Sequence, residues 1–141
     1  MLASALLFAS WIDLDRFLLP DVLTLPLCIL GVAVTYYLGG DIYLSIGGAF
    51  AGYGVIAGIA WLWRKRFGRD GLGLGDAKLL AAGGAWVGVL NLPFVLLIAS
   101  GLGLCLALAF RLAQKTSKDV AIPFGPLLSL GIWMAWCLPL I

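Results

Sequence analysis

Six apolar runs divide this chain, and its nine Lys and Arg residues fall near the end of the first run and in the gaps after the third and the fifth. The runs extend roughly over Leu2 to Leu19, Val22 to Leu38, Ile42 to Trp63, Leu79 to Val89, Leu92 to Phe110 and Val120 to Ile141. A helix crossing the hydrocarbon needs roughly 20 mainly apolar residues, so six crossings would occupy about 120 positions and leave only short connections. The chain has 141 residues. The pattern therefore predicts an all-α polytopic membrane protein, a bundle of about six transmembrane helices forming one domain over residues 1–141. Composition agrees: 63% of residues are hydrophobic and only 11% charged, against about 25% charged in soluble domains.

The cations also orient the bundle. Arg16 follows the apolar part of the first run; Arg64, Lys65, Arg66, Arg69 and Lys78 follow the third; Arg111, Lys115 and Lys118 follow the fifth. The connections Gly39-Gly40-Asp41 and Val89 to Leu92 carry none. Basic connections face the cytoplasm, which predicts a multi-pass protein of the plasma membrane with both termini outside. The first run has only twelve residues before Asp13, about 18 Å of a core about 30 Å thick. It must bring Asp13 to the membrane boundary or begin upstream in a longer chain. Its start lacks the basic residues of a signal peptide and is read as mature sequence.

Missing residue types narrow the chemistry. There is no His, and all seven acids are Asp, which excludes Ser-His-Asp and Cys-His catalysis and His-ligated zinc. Cys28, Cys105 and Cys137 lie far apart in apolar runs and are expected to pack as small apolar residues rather than bind metal. The net charge of +2 is too small and dispersed for a nucleic-acid surface. Glycines four apart, Gly48 with Gly52, Gly54 with Gly58 and Gly84 with Gly88, are expected to let helices approach closely. Trp61, Trp63, Trp133 and Trp136 are read as interfacial belt or bundle interior.

An acid at membrane depth costs roughly 2.5 kcal/mol or more, so each needs a partner or a purpose. Two clusters qualify: Asp13, Asp15 and Asp21, spread over Trp11 to Pro26, and Asp76 after the alternating glycines Gly71, Gly73 and Gly75. Those glycines allow a backbone that bends, unwinds or approaches another chain. By itself Asp76 also fits a helix N-cap, and Lys78 a snorkelling anchor. Two carboxylates brought together hold one proton between them. One then acts as base towards water and the other as acid towards a carbonyl oxygen, with no metal or organic cofactor.

The stretches Ile12-Asp13-Leu14-Asp15, Leu19-Pro20-Asp21, Leu23-Thr24-Leu25-Pro26, Gly73-Leu74-Gly75-Asp76-Ala77-Lys78 and Pro123-Phe124-Gly125-Pro126 resemble, in order, the motifs of the type IV prepilin peptidases. The resemblance runs from about Ser10 to Trp136. It implies a membrane aspartic endopeptidase in which Asp13 and Asp76 are the catalytic pair. Its substrates would be prepilins or pseudopilins of pilus assembly and type II secretion, cut on the cytoplasmic face of the inner membrane between a short basic leader and an apolar helix. Gly73 and Gly75 would shape the turn at Asp76. Lys78 would steady the ionised pair or meet the Glu that family substrates carry after the cut. Pro123, Phe124, Gly125 and Pro126 would line a substrate groove or simply kink the chain. Asp15 and Asp21 are read as bystanders, Asp21 as an N-cap; Asp41, Asp70 and Asp119 are read as loop residues.

The zinc-binding Cys-x-x-Cys pairs that accompany methyltransferase activity in longer family members are not found in this sequence. The expectation is a peptidase without methyl transfer, either a short form or part of a longer enzyme. Archaeal preflagellin peptidases and other Gly-x-Gly-Asp intramembrane proteases share the logic. Presenilin-like members place Tyr before the first catalytic Asp, where this chain has Ile12. A transporter or proton channel with an Asp relay would place its acids near the midplane, whereas these lie towards one side.

Overall fold

The computed structural model describes residues 2–16, 21–68, 73–113 and 124–138, and there the chain is built of helices. They are α1 (Leu2–Arg16), α2 (Asp21–Tyr37), α3 (Ile42–Phe67), α4 (Leu74–Val87), α5 (Leu92–Leu112) and α6 (Gly125–Cys137), with one 3-10 turn at Val89–Asn91 before α5. The all-α expectation holds, and each expected run overlaps one helix.

The fourth helix begins five residues earlier than its apolar run. Gly73 has an extended backbone as N-cap and the Asp76 amide bonds back to the Gly73 carbonyl at 3.2 Å, so Gly75 and Asp76 lie inside the first turn of α4. Asp76 there complements the positive end of the helix dipole, an effect that hydrophobicity does not register. The motif glycines thus start a helix rather than interrupt one.

α4 is the axis of the bundle, with nine of its fourteen residues buried. It packs on α3, α2 and α6, while α1 sits on α6 and more lightly on α2, and α5 covers α6. The α3–α4 seam is set by glycine. A Cβ on Gly48 would lie 2.2 Å from the Gly84 carbonyl oxygen, one on Gly84 2.2 Å from that of Gly48, and one on Gly52 2.5 Å from that of Leu80. Such backbone-to-backbone contact is how helices gain dispersion energy where lipid offers no hydrophobic drive. Ser45 Oγ donates to the Ala85 carbonyl across this seam, and Trp86 Nε1 donates to the Leu27 carbonyl at 2.9 Å across the α2–α4 seam. Both donors are buried, where an unmade bond would cost about 1–3 kcal/mol.

The expected glycine pairs divide. Gly48, Gly52 and Gly84 pack, and Gly88 ends α4 with φ +77, but Gly54 and Gly58 have nothing within 4 Å. Cys28 packs against the core as expected, whereas Cys105 and Cys137 are exposed on the outer surface of the bundle. Trp61 and Trp63 are exposed beside the Arg64–Arg66 cations, with Lys65 Nζ 5.0 Å from the Trp61 ring centroid. Trp136 meets the buried Trp86 edge-on at 5.7 Å.

Candidate active site

The packing pairs fix the heights of the motif residues. Gly48 faces Gly84 and Gly52 faces Leu80, so α3 and α4 are antiparallel, and four residues further the buried Ile56 stands level with Asp76. Gly31 meets Trp86 and Ala85, while Thr24 and Cys28 share a cleft with Lys78, Ala81 and Ala82. α2 therefore runs parallel to α4 and begins, at Asp21, level with Asp76. Gly83 meets Ile132 and Trp86 meets Trp136, which makes α6 parallel to α4 and sets Gly125 and Pro126 at the height of Asp76.

α1 is placed by reach. The five peptide steps from Arg16 to Asp21 span at most about 18 Å, less than the length of α1, which is about 22 Å. α1 must therefore run opposite to α2, and hence opposite to α6. An apolar cleft of about 360 Å³ runs along the α1–α6 seam, lined by Ala3, Leu6 and Ser10 of α1 and by Pro126, Ser129 and Trp133 of α6. With the helices antiparallel, Ser10 stands across from Pro126. Asp13 lies three residues further along α1, so its place on the helix is within about one turn of the height of Asp76.

The two motif helices share neighbours, since α2 and α6 each touch both α1 and α4. The structure thus brings four of the sequence-predicted stretches to one end of the bundle: the last turn of α1, the start of α2, the first turn of α4 and the start of α6. The side chains of Asp13, Asp15 and Asp21 lie outside the described part of the chain, as do residues Pro123, Asp70 and Asp119.

Around Asp76, which is half-buried, the arrangement is partly open. Gly73 is exposed, and a Cβ there would meet only the Gly75 nitrogen, at 3.9 Å. Lys78 is half-buried and points from α4 into a cleft of about 250 Å³ shared with Thr24, Cys28 and Tyr53. Phe124 is half-buried and packs towards Gly103 of α5, and Gly125 is buried. The Phe124 carbonyl accepts from the Leu128 amide at 3.0 Å and the Gly125 carbonyl from Ser129 Oγ at 3.0 Å. These two carbonyls already hold partners inside α6, so this part of the motif orders a helix start.

Asp41, read as a loop residue, is exposed and outside the helices, and it also serves as the N-cap of α3, accepting from the Tyr43 amide at 3.0 Å. The signal was present: a capping residue type directly before an apolar run. Trp86 was missed because nothing local marks an indole that will bond to another helix. Among the described residues, no cluster of His, Cys or acids has the makings of a metal site.

Comparison with known proteins gives a consistent family. The model of the type IV leader peptidase family matches residues 1–108. The chain is 42% identical over 137 residues to a prepilin leader peptidase/N-methyltransferase of Aeromonas hydrophila, covering 96% of this chain and 47% of that protein. It is 44% identical over 134 residues to one from Escherichia coli (strain K12), covering 90% and 59%, and 38% identical over 136 residues to one from Pseudomonas aeruginosa, covering 96% and 47%. The chain spans about half the length of the curated relatives it matches. No solved structure matches it.

Proposed function

The chain belongs to the type IV leader peptidase family, and from that membership and the common height of its motifs we propose that it cleaves leaders from prepilins or pseudopilins with Asp13 and Asp76 as the reacting pair. The observation that carries this reading is the register that puts the last turn of α1 and the first turn of α4 at one end of the bundle. The seven acids of the chain are all Asp and it has no His, so the chemistry is that of two carboxylates.

In the proposed reaction the pair carries one proton. The ionised carboxylate takes a proton from water as the oxygen attacks the scissile carbonyl carbon, while the protonated one gives its proton to the carbonyl oxygen. The resulting tetrahedral diol collapses. A hydroxyl proton returns to one carboxylate, the C–N bond breaks, and the other carboxylate protonates the departing amine. One water is consumed and the pair again holds a single proton. The rate is therefore bell-shaped in pH, falling when both groups are protonated and when both are ionised, with limbs that belong to the pair rather than to either residue.

Asp76 enters this scheme held by the first turn of α4, and Lys78, two residues on, adds a positive charge near the ionised state. The site faces the cytoplasm and the protein is multi-pass in the inner membrane, a reading supported by the cations at the same end as Asp76. The peptidase reading is carried over from the relatives; the N-methyltransferase in their names is not carried over to these 141 residues.

The test is leader cleavage in membranes, with the chain co-expressed with a prepilin and compared with Asp13→Asn and Asp76→Asn at equal accumulation. Each substitution is expected to lower the rate by about two to four orders of magnitude. Full activity in either variant removes that residue from the pair.

A further inference from the structure

The six helices are close to flush at one end of the bundle and stepped at the other. At the flush end the α3–α4 register sets Leu44 and Ser45 beside Val87 and Gly88, near the start of α3 and the end of α4. At the other end α3 runs on past Asp76. Ile56 is level with Asp76, and the first cation of α3, Arg64, comes eight residues later, about 12 Å along the axis.

α5 gives the same height by a separate route. Gly103 packs on Phe124 and Leu127, at the level of Gly125 and hence of Asp76, and Arg111 follows eight residues later, again about 12 Å. Helix lengths agree with both. α4 has fourteen residues, about 21 Å, which falls short of a hydrocarbon core about 30 Å thick by close to the same amount. α3 and α5 have 26 and 21 residues and are the helices long and apolar enough to cross.

The end of α3 has the composition of a membrane boundary. Trp61, Trp63 and Phe67 are exposed together with Arg64, Lys65 and Arg66, with Lys65 over the Trp61 ring and Trp63 against Phe67 at 4.5 Å. Tryptophan and cations of this kind settle at the headgroup level.

We infer that the Asp76 turn lies about 12 Å beneath the headgroup boundary, beside two overhanging helix ends, and that this depth sets a minimum length of peptide on the amino side of the cut. The length requirement rests on the peptidase reading; the depth does not. An extended chain advances about 3.3 Å per residue, so about four residues are needed between the scissile bond and the boundary. A shorter leader holds its charged amino terminus below the boundary, where charge is disfavoured. The overhangs of α3 and α5 thereby act as a length gauge for the leader.

Two measurements test this. With the native chain in membranes, one prepilin is offered with leaders of eight, six, four, three and two residues. Cleavage is expected to hold down to about four residues and then to fall at least about tenfold, the factor that corresponds to 1.4 kcal/mol; equal cleavage at two and eight residues overturns the gauge. In a chain whose three cysteines are replaced by Ala, single cysteines at Val55, Ile59, Leu62 and Phe67, all exposed on α3, carry spin labels in vesicles of phosphatidylcholine and phosphatidylglycerol. Collision with oxygen is expected to dominate at Val55 and Ile59, and collision with an aqueous nickel chelate at Phe67. An aqueous signature at Ile59 overturns the depth. This second result needs no activity, so absence of cleavage with every leader would count against the peptidase reading alone.

Discussion

The seam between α3 and α4 and the seam between α1 and α6 are built in opposite ways. The first brings backbones together through Gly48, Gly52 and Gly84 and is tied by the buried Ser45 hydroxyl. The second encloses an apolar cleft of about 360 Å³. Asp76 rides on the helix with the tightest seam, Asp13 on the helix with the looser one. The proposed carboxylate pair would thus have one member of fixed height and one on a helix with room beside it.

Tight seams are expected to break first. Gly84→Leu and Gly48→Leu force a side chain into a backbone carbonyl, and overpacking of this kind typically costs about 1–3 kcal/mol, occasionally more; with four heavy atoms to place, the expected outcome is loss of folded protein, read by protease resistance in membranes. Next come the ties. Ser45→Ala and Trp86→Phe each remove a buried hydrogen bond between helices and are expected to cost about 0.5–1.5 kcal/mol for the bond itself, read as a lower midpoint in a denaturation series, with activity falling in step with folded protein.

The looser seam responds differently. Ala3→Leu adds carbon into the α1–α6 cleft, and its effect on stability is expected to stay within about 1 kcal/mol. A loss on the scale of Gly84→Leu would show that the cleft is not available space. Smallest of all, Gly54→Ala and Gly58→Ala meet nothing within 4 Å and, on helix propensity, are expected to change stability by at most about 1 kcal/mol in the favourable direction.

That contrast also marks what was legible in the sequence. Alternation of apolar runs with cation-bearing gaps was enough for six helices, because burial of apolar length in a bilayer is a one-dimensional property. Gly48 and Gly54 look alike in the sequence, but one meets a backbone carbonyl and the other meets open space, and only the rotation of α3 against α4 separates them. The start of α4 was displaced for a related reason: Gly75 and Asp76 are poor markers of a helix interior but suit its first turn. The motif residues could be picked out one by one, yet their common height depends on the offsets of α2, α4 and α6, which arise from contacts such as Gly31 with Trp86 and Gly83 with Ile132. The step at the cation-bearing end was hidden for the same reason.

The central claim is that positions 13 and 76 face a common space, and proximity tests it most directly. In the chain with Cys28, Cys105 and Cys137 replaced by Ala, the double variant Asp13→Cys with Asp76→Cys is treated in membranes with a short bifunctional maleimide, beside a control of Asp13→Cys with Leu90→Cys at the opposite end of α4. Digestion between the two positions should leave the first pair joined and the control separated. A control that joins as readily as the test pair, or a test pair that never joins, would contradict the shared site.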